Sequence, residues 1–534
     1  MMIPTGVTRE DFAKAIAEFE EVLGKEWTFT SDADVDLYRD AYSPFRGDER
    51  EIRAAAALAP ENTDQVQKIM RIANAYRVPV YPISTGRNLG YGGSAPVLPG
   101  SVVLDLKRMN RIIEVNERNA YALVEPGVSY FDLYRYLRAR NLKLWIDVAS
   151  PGWGSLIGNA LDHGAGHTAT PYRDHFDAHC GMEVVLADGD IVRTGMGALP
   201  GARTWQEYKY GLGPYLDGLF AQSNYGVVTK MGFWLMPEPE AYRAAIVKAK
   251  RYQDIIPVLD IMNKLLNCNL LTAKTTLGSP TVTRLQTDPD ARNRIYASPD
   301  LPAAMDKYGA EHDLDNWTLE LKFYGPEEII AAHWQHARKQ FSAIPGAGFD
   351  DGLFYRFPMT DAEISEVVFK QALGVPSLSI FSLVSRSPQQ TDPVIGHVTT
   401  SQIIPMHGEA VLEAREVIGR LFHEYGMAEY YSIIPQSYIP RMLVFLFLFR
   451  VTGDADENAR TMQLIERLHK LGVERGWAPY RSHAYLMDNT MDLYSYNNHA
   501  LRRVCETLKD AIDPNGIIAA GRYGIWPRHL RKRL

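Results

Sequence analysis

Glycine is concentrated in two stretches, each beside a strand-like run, and that pattern is suited to holding an anion. The first stretch is Gly86-Arg87-Asn88-Leu89-Gly90-Tyr91-Gly92-Gly93. Glycine tolerates positive φ, so backbone N–H groups there can converge on one point, and phosphate is the obvious ligand for such a nest. No Lys-Ser/Thr pair follows, which excludes a Walker loop, and no GxGxxG opens a helix, which argues against a nicotinamide site. By itself the stretch reads equally as a tight loop or a phosphate cradle. The second stretch, Pro151 to Gly166, carries glycines at 152, 154, 158, 164 and 166 around an apolar helical turn, LIGNAL. Two such loops fit a ligand with a long phosphate-bearing backbone lying across both, as a dinucleotide flavin has.

The elements that must position these loops are legible from periodicity. Residues 50 to 108 alternate as an α/β segment: AAAALAP, the helix ENTDQVQKIMRIANAYR, the strand VPVYPIS, the first glycine stretch, then the strand SVVLDL. AYALVEPGV reads as a strand, YFDLYRYLRARN as a helix, and MEVVLADGDIVRTG as a hairpin turning at Asp188-Gly189. Thr8 is placed to cap a helix from about Arg9. Near Met236 the proline-rich, acidic PEPEAYR marks a domain boundary. Beyond it, TDPDARNRIYASPDLPAAMDKYG reads as a polar insert, and MLVFLFLF (Met442 to Phe449), too short to span a bilayer as a helix, as a buried strand.

Bulk properties exclude whole classes. The 534 residues hold 64 acidic and 57 basic side chains, a net charge of -7 with no basic footprint for nucleic acid. Hydrophobic residues make up 46% and charged residues 23%, as in an ordinary soluble, cytoplasmic enzyme. Cys180, Cys268 and Cys505 are too widely spaced for a metal knuckle or a redox pair. No metal site, nucleic-acid partner or membrane segment is expected.

The motifs PISTGRNLGYGGSAP, EPGVSYFDL, GSLIGNALDHGAGHTATPYRDHF, CGMEVVLADGDIVRTGMGALPG, DGLFAQSNYGVVTKMGFWLMP, APYRSHAYLMD and DPNGIIAAGRYGIWP resemble the vanillyl-alcohol oxidase and p-cresol methylhydroxylase family. The likeness is dense over 75 to 237 and 475 to 527 and thin between. It implies an α+β fold with two domains: an FAD-binding domain built from 1–237 and 479–534, and an α/β cap from 238–478. It also implies FAD as cofactor, a para-substituted phenol as substrate, oxygen or a separate cytochrome c as electron acceptor, and a homodimer or higher oligomer.

By the same resemblance Tyr91, Tyr480 and Arg481 hold the phenol oxygen. Arginine is always cationic and phenolic hydroxyls are donors, so together they favour a phenolate. A phenolate pushes electron density to the para carbon, which makes hydride loss to the flavin feasible and leaves a quinone methide. FAD contacts are expected from Gly86, Arg87, Asn88, Leu89, Gly90, Gly92 and Gly93 of the first loop. The second loop supplies Pro151, Gly154, Ser155, Gly158, Asn159 and Gly164, and further on the chain supplies Gly226, Val227 and Arg522. His397, in GHVTTSQIIPMHGEA, falls where histidyl-linked members bind FAD covalently. His407 is a nearby competitor, and Val384 stands where tyrosyl-linked members carry the tyrosine.

One position departs from the family. Oxidase members carry an aspartate near the flavin where this chain has Ser150, which cannot serve as a carboxylate base. Asp147, three residues earlier, is the possible substitute. The serine points toward a methylhydroxylase-like dehydrogenase, and the histidine toward an oxidase. A silent FAD-binding protein and a flavoprotein for 2-hydroxy acids or sugars are the readings from outside this chemistry.

Overall fold

The computed structural model describes residues 2–168, 174–381, 395–427, 434–437 and 440–531. Val384 lies outside the described residues, as do parts of the cap segment around it.

Local signals form the elements that carry the site. Thr8 caps the helix Arg9–Leu23 by accepting from the Asp11 N–H at 3.1 Å, and Asn62 caps Thr63–Tyr76 through the Gln65 N–H at 3.0 Å. Ser129 and Asp132 form a reciprocal capping box at the head of Tyr130–Ala139. Ser155 accepts from the Gly158 N–H at 3.1 Å, which starts the short helix Leu156–Leu161 inside the second glycine stretch. The polar segment read as an insert instead folds into two helices, Pro289–Tyr296 and Leu301–Glu311. Each begins with an aspartate N-cap, Asp288 or Asp300, and a proline in the first turn. An aspartate with proline one or two residues later, which looks like loop chemistry, is here a helix start.

Strands gather into sheets that divide the chain. A four-stranded sheet runs Thr28–Phe29, Ala56–Leu58, Val102–Asp105, Val80–Ile83, with the last three parallel. The first glycine stretch is the connection between Val80–Ile83 and Val102–Asp105. A five-stranded sheet orders Ile112–Asn116, Tyr121–Val124, Val227–Trp234, His179–Val185 and Ile191–Arg193, the last two joined at the Asp188-Gly189 turn. Residues 241 to 479 supply an eight-stranded sheet ordered Gly348–Arg356, Ala241–Ala249, Trp317–Gly325, Thr275–Gly278, Ile434–Ser437, Met442–Val451, Gly396–Pro405, Ala478–Pro479. Met442–Val451 is an interior strand there, with Leu443, Phe445 and Phe447 almost fully buried.

Near its C-terminal end the chain returns to the first sheet. The Val80 N–H donates to the Ile517 carbonyl and the Ala519 N–H to the Val80 carbonyl, both at 2.7 Å. Ile517, Ile518 and Ala519 share one apolar core with Phe12, Leu58, Ile69 and Val103. A separate core joins Val258, Trp317, Leu321, Ile418, Phe445 and Leu468. We propose the division 1–237 plus 479–534 against 238–478 on this partition of cores.

Candidate active site

One cavity is walled by both glycine stretches: Gly86, Arg87, Asn88, Leu89, Tyr91 and Gly93 from the first, Pro151, Gly154, Ser155, Gly158 and Asn159 from the second. Gly226, Val227 and Arg522 complete the wall, together with Ser150, His397 and Arg481. Gly86, Gly90, Gly92 and Gly93 all have positive φ, so the loop can follow its tight course. Gly90, Gly92 and Gly164 do not face the cavity. A Cβ on Gly90 would strike Thr399 and His397, one on Gly92 would press on Ala484, and one on Gly164 would strike Asn159. These three glycines therefore permit close packing behind the wall.

Arg481 lies two residues beyond the edge strand Ala478–Pro479 and is largely buried. Its guanidinium lies 4.1 Å from the Tyr91 ring centroid. Nη2 donates to Asp162 at 2.8 Å and to Asn88 at 3.0 Å, while Nε has no partner. The Tyr91 hydroxyl sits 3.3 Å from Ser401 Oγ. Burial pushes the Tyr91 phenol well above its ordinary value, against the pull of Arg481, so it stays a protonated donor. Tyr480 is near enough to influence Tyr91, and its carbonyl accepts from Gln222 at 2.9 Å. The trio is thus brought together, although Tyr480 is not on the cavity wall.

The hub behind Arg481 is Asp162, which motif reading passed over. Its carboxylate accepts from Asn88, Arg481, Arg522 (3.3 Å) and Tyr523. Burial alone would raise its pKa, but Arg481 and Arg522 more than offset that and hold it at about 2. Asp162→Ala would leave two largely buried guanidiniums without their anion, and the expected loss of stability is about 3 kcal/mol. Thermal unfolding of the variant checks this, and an unchanged midpoint would remove Asp162 as the hub.

His397 comes from the strand Gly396–Pro405 and faces the cavity, buried, with its ring tilted against that of Tyr42 at 5.0 Å between centroids. Its Nδ1 has no partner. Burial, aided by His483 and opposed by Asp40, pushes its pKa down to about 4, so the ring is neutral at pH 7. His407 is elsewhere: it caps the helix Gly408–Glu424 by accepting from the Ala410 N–H and is half-exposed.

Asp147 is not a substitute base. Its carboxylate accepts from the Gly166 N–H (3.1 Å), the Thr168 N–H (2.9 Å) and the Thr168 hydroxyl (2.7 Å), and meets His175 Nε2 at 3.1 Å. Burial would raise its pKa, but His175 and Thr168 hold it below the ordinary value, and it does not line the cavity. With its lone pairs committed to fixed donors, it fastens the second glycine stretch. Ser150 does reach the wall, 3.2 Å from His167 Nε2.

The cavity fits FAD on its own features. Two glycine loops wall it, and two residues of that wall, His397 and Arg481, each carry a buried nitrogen without a hydrogen-bond partner, Nδ1 and Nε. Among the described residues no group of three or more His, Cys, Asp or Glu could hold a metal, and no helix is long and apolar enough to cross a membrane.

Residues 54–195 match the FAD binding domain family. The chain is 31% identical to the 4-cresol dehydrogenase [hydroxylating] flavoprotein subunit of Pseudomonas putida, over 98% of each chain. It is 35% identical to the 4-ethylphenol oxidase of Gulosibacter chungangensis, solved as an isoeugenol complex, with a TM-score of 0.84 over 99% of this chain and all of that one. Against p-cresol methylhydroxylase with substrate bound, identity is 30% and the TM-score 0.83, over 98% of this chain and 99% of that one.

Proposed function

Because the chain belongs to the vanillyl-alcohol oxidase and p-cresol methylhydroxylase family of FAD flavoproteins, we propose that Arg481, Tyr91 and Tyr480 hold a 4-alkylphenol as its phenolate for oxidation at the benzylic carbon. The activity is FAD-dependent oxidation of 4-alkylphenols. FAD, when bound, accepts the hydride. The observation that carries the site assignment is the guanidinium of Arg481, fixed over the Tyr91 ring on the wall of the cavity.

Each residue has a stated task. Arg481 supplies a positive charge that no accessible pH removes. The Tyr91 hydroxyl, kept protonated, donates to the phenolate oxygen, and Tyr480 adds a second phenolic donor. Asp162 and Asn88 orient the guanidinium from behind. Arg87 and Asn88, with the backbone N–H groups of both loops on the cavity wall, would hold the phosphate-bearing part of FAD. His397 provides a neutral imidazole for covalent attachment to FAD.

Oxygen is the proposed acceptor, since His397 stands where the histidyl-linked members have theirs. Ser150, at the place of the oxidase aspartate, favours the second reading, in which a separate cytochrome takes the electrons. Anaerobic mixing with a panel of 4-alkylphenols and 2-hydroxy acids, followed by air, tests both. The expected result is bleaching of the flavin by the phenols alone, with peroxide released on aeration. Bleaching by lactate and not by phenols would overturn the substrate assignment. Slow reoxidation without peroxide would transfer the acceptor role to a cytochrome.

A further inference from the structure

Addition of water to a quinone methide releases a proton, and the described cavity wall near Ser150 offers no carboxylate to take it. Behind Ser150 lies a line of polar groups that the phenol site does not use. Ser150 Oγ is 3.2 Å from His167 Nε2, and Lys274 Nζ is 3.4 Å from His167 Nδ1. Lys274 is buried and His167 half-buried, its ring meeting the Phe369 ring at right angles, 5.1 Å between centroids. Asp147 holds the residues on both sides of His167, Gly166 and Thr168, by their backbone N–H groups. The side chain that proved not to be a base therefore fixes the ring that bridges serine and lysine.

We propose that Ser150, His167 and Lys274 form a proton relay that takes the proton released when water adds to the oxidised substrate. The proposal rests on the phenol-oxidation reading above. In the accepting state water donates to Ser150 Oγ, the serine hydroxyl to His167 Nε2, and His167 Nδ1–H to neutral Lys274. As the water oxygen bonds to the benzylic carbon, the ring electron pair returns to the phenolate oxygen. One proton shifts along each link and Lys274 becomes an ammonium. Every hydrogen bond then runs the other way, from Lys274 to Nδ1, from Nε2–H to Oγ, and from the serine hydroxyl to the new alcohol. The hydride has already left to FAD, so no further oxidant is needed, and Lys274 returns its proton to solvent between turnovers.

The charges around the relay suit it. Burial, then the neighbouring Lys322, push the Lys274 pKa down to about 7, against the opposite pull of Asp147 and Glu320. Lys322 is itself paired with Glu320 at 3.0 Å. Burial, with Lys274, Lys322 and His175 nearby, holds His167 well below its ordinary value, so it remains neutral and free to exchange tautomers. Lys274 is the base when neutral, so water addition should speed up as pH rises through about 7.

The test is an anaerobic single turnover of the holoenzyme with 4-methylphenol, which has no β-hydrogen and so leaves hydration as the route to product. Flavin bleaching reports the first step, and decay of the quinone methide absorbance reports the second. In the wild type the decay should rise with pH through about 7 and slow in D2O. Lys274→Met and His167→Gln should each slow it at least about tenfold and flatten its pH profile. Lys274→Arg keeps the charge and much of the bulk but cannot lose its proton, so it should be as slow as Lys274→Met. A decay in Lys274→Met or His167→Gln with wild-type rate and pH profile, or restoration by Lys274→Arg, would overturn the relay alone. Absence of bleaching in the wild type would overturn the phenol reading and the relay with it.

Discussion

Arg481→Met is expected to slow reduction of the flavin by a 4-alkylphenol by at least about a hundredfold. In the proposed site this side chain is the cation that faces the phenol oxygen, and removal of one preorganised charge-stabilising group from a buried site costs a factor of about 10²–10³. Its partners raise the effect. Asp162 would keep Arg522 and Tyr523 but lose one of its two cations, leaving a more negative field where a phenolate must form. Arg481→Lys should recover only part of the rate, because an ammonium cannot hold Asp162 and the substrate as one planar fork. Stopped-flow reduction under anaerobic conditions reads the rate directly. A rate within threefold of wild type in Arg481→Met would take this residue out of the phenol site.

His397→Ala is expected to abolish covalent retention of FAD. Wild-type protein precipitated with acid should stay yellow, and the variant should leave all its flavin in the supernatant. A neutral imidazole with a free lone pair is the nucleophile such a bond requires, and His397 is held neutral by burial with Nδ1 unpartnered. It faces the cavity beside the loop on which Gly90 leaves room for its ring. His407→Ala serves as the control, since that ring is spent on capping a helix and should not affect retention. Colour retained by the His397→Ala pellet would move the link elsewhere.

What the sequence disclosed, and what it hid, follows the distance between partners. The Thr8 cap and the Asp188-Gly189 turn are contacts within a few residues, and periodicity and turn chemistry suffice to see them. The glycine stretches were legible as cradles for the same reason, although which glycines face the ligand and which admit a neighbour was not. Asp288 and Asp300 misled because an aspartate one or two residues before a proline serves a loop and a helix start alike. Asp162 was hidden because its partners lie 74, 319 and 360 residues away along the chain. Asp147 was misjudged because a carboxylate near a site in sequence can point into it or behind it, and only the donors of Gly166, Thr168 and His175 decide which. The contact of His167 with Lys274 spans 107 residues and joins two segments that no local pattern relates.

The central claim is that this protein oxidises its substrate as a phenolate held by Arg481 beside Tyr91 and Tyr480. The most direct measurement compares anaerobic flavin reduction by 4-ethylphenol with that by its methyl ether, which has the same para side chain and no ionisable oxygen. The account predicts rapid bleaching with the phenol and none with the ether. Comparable bleaching by both would contradict it.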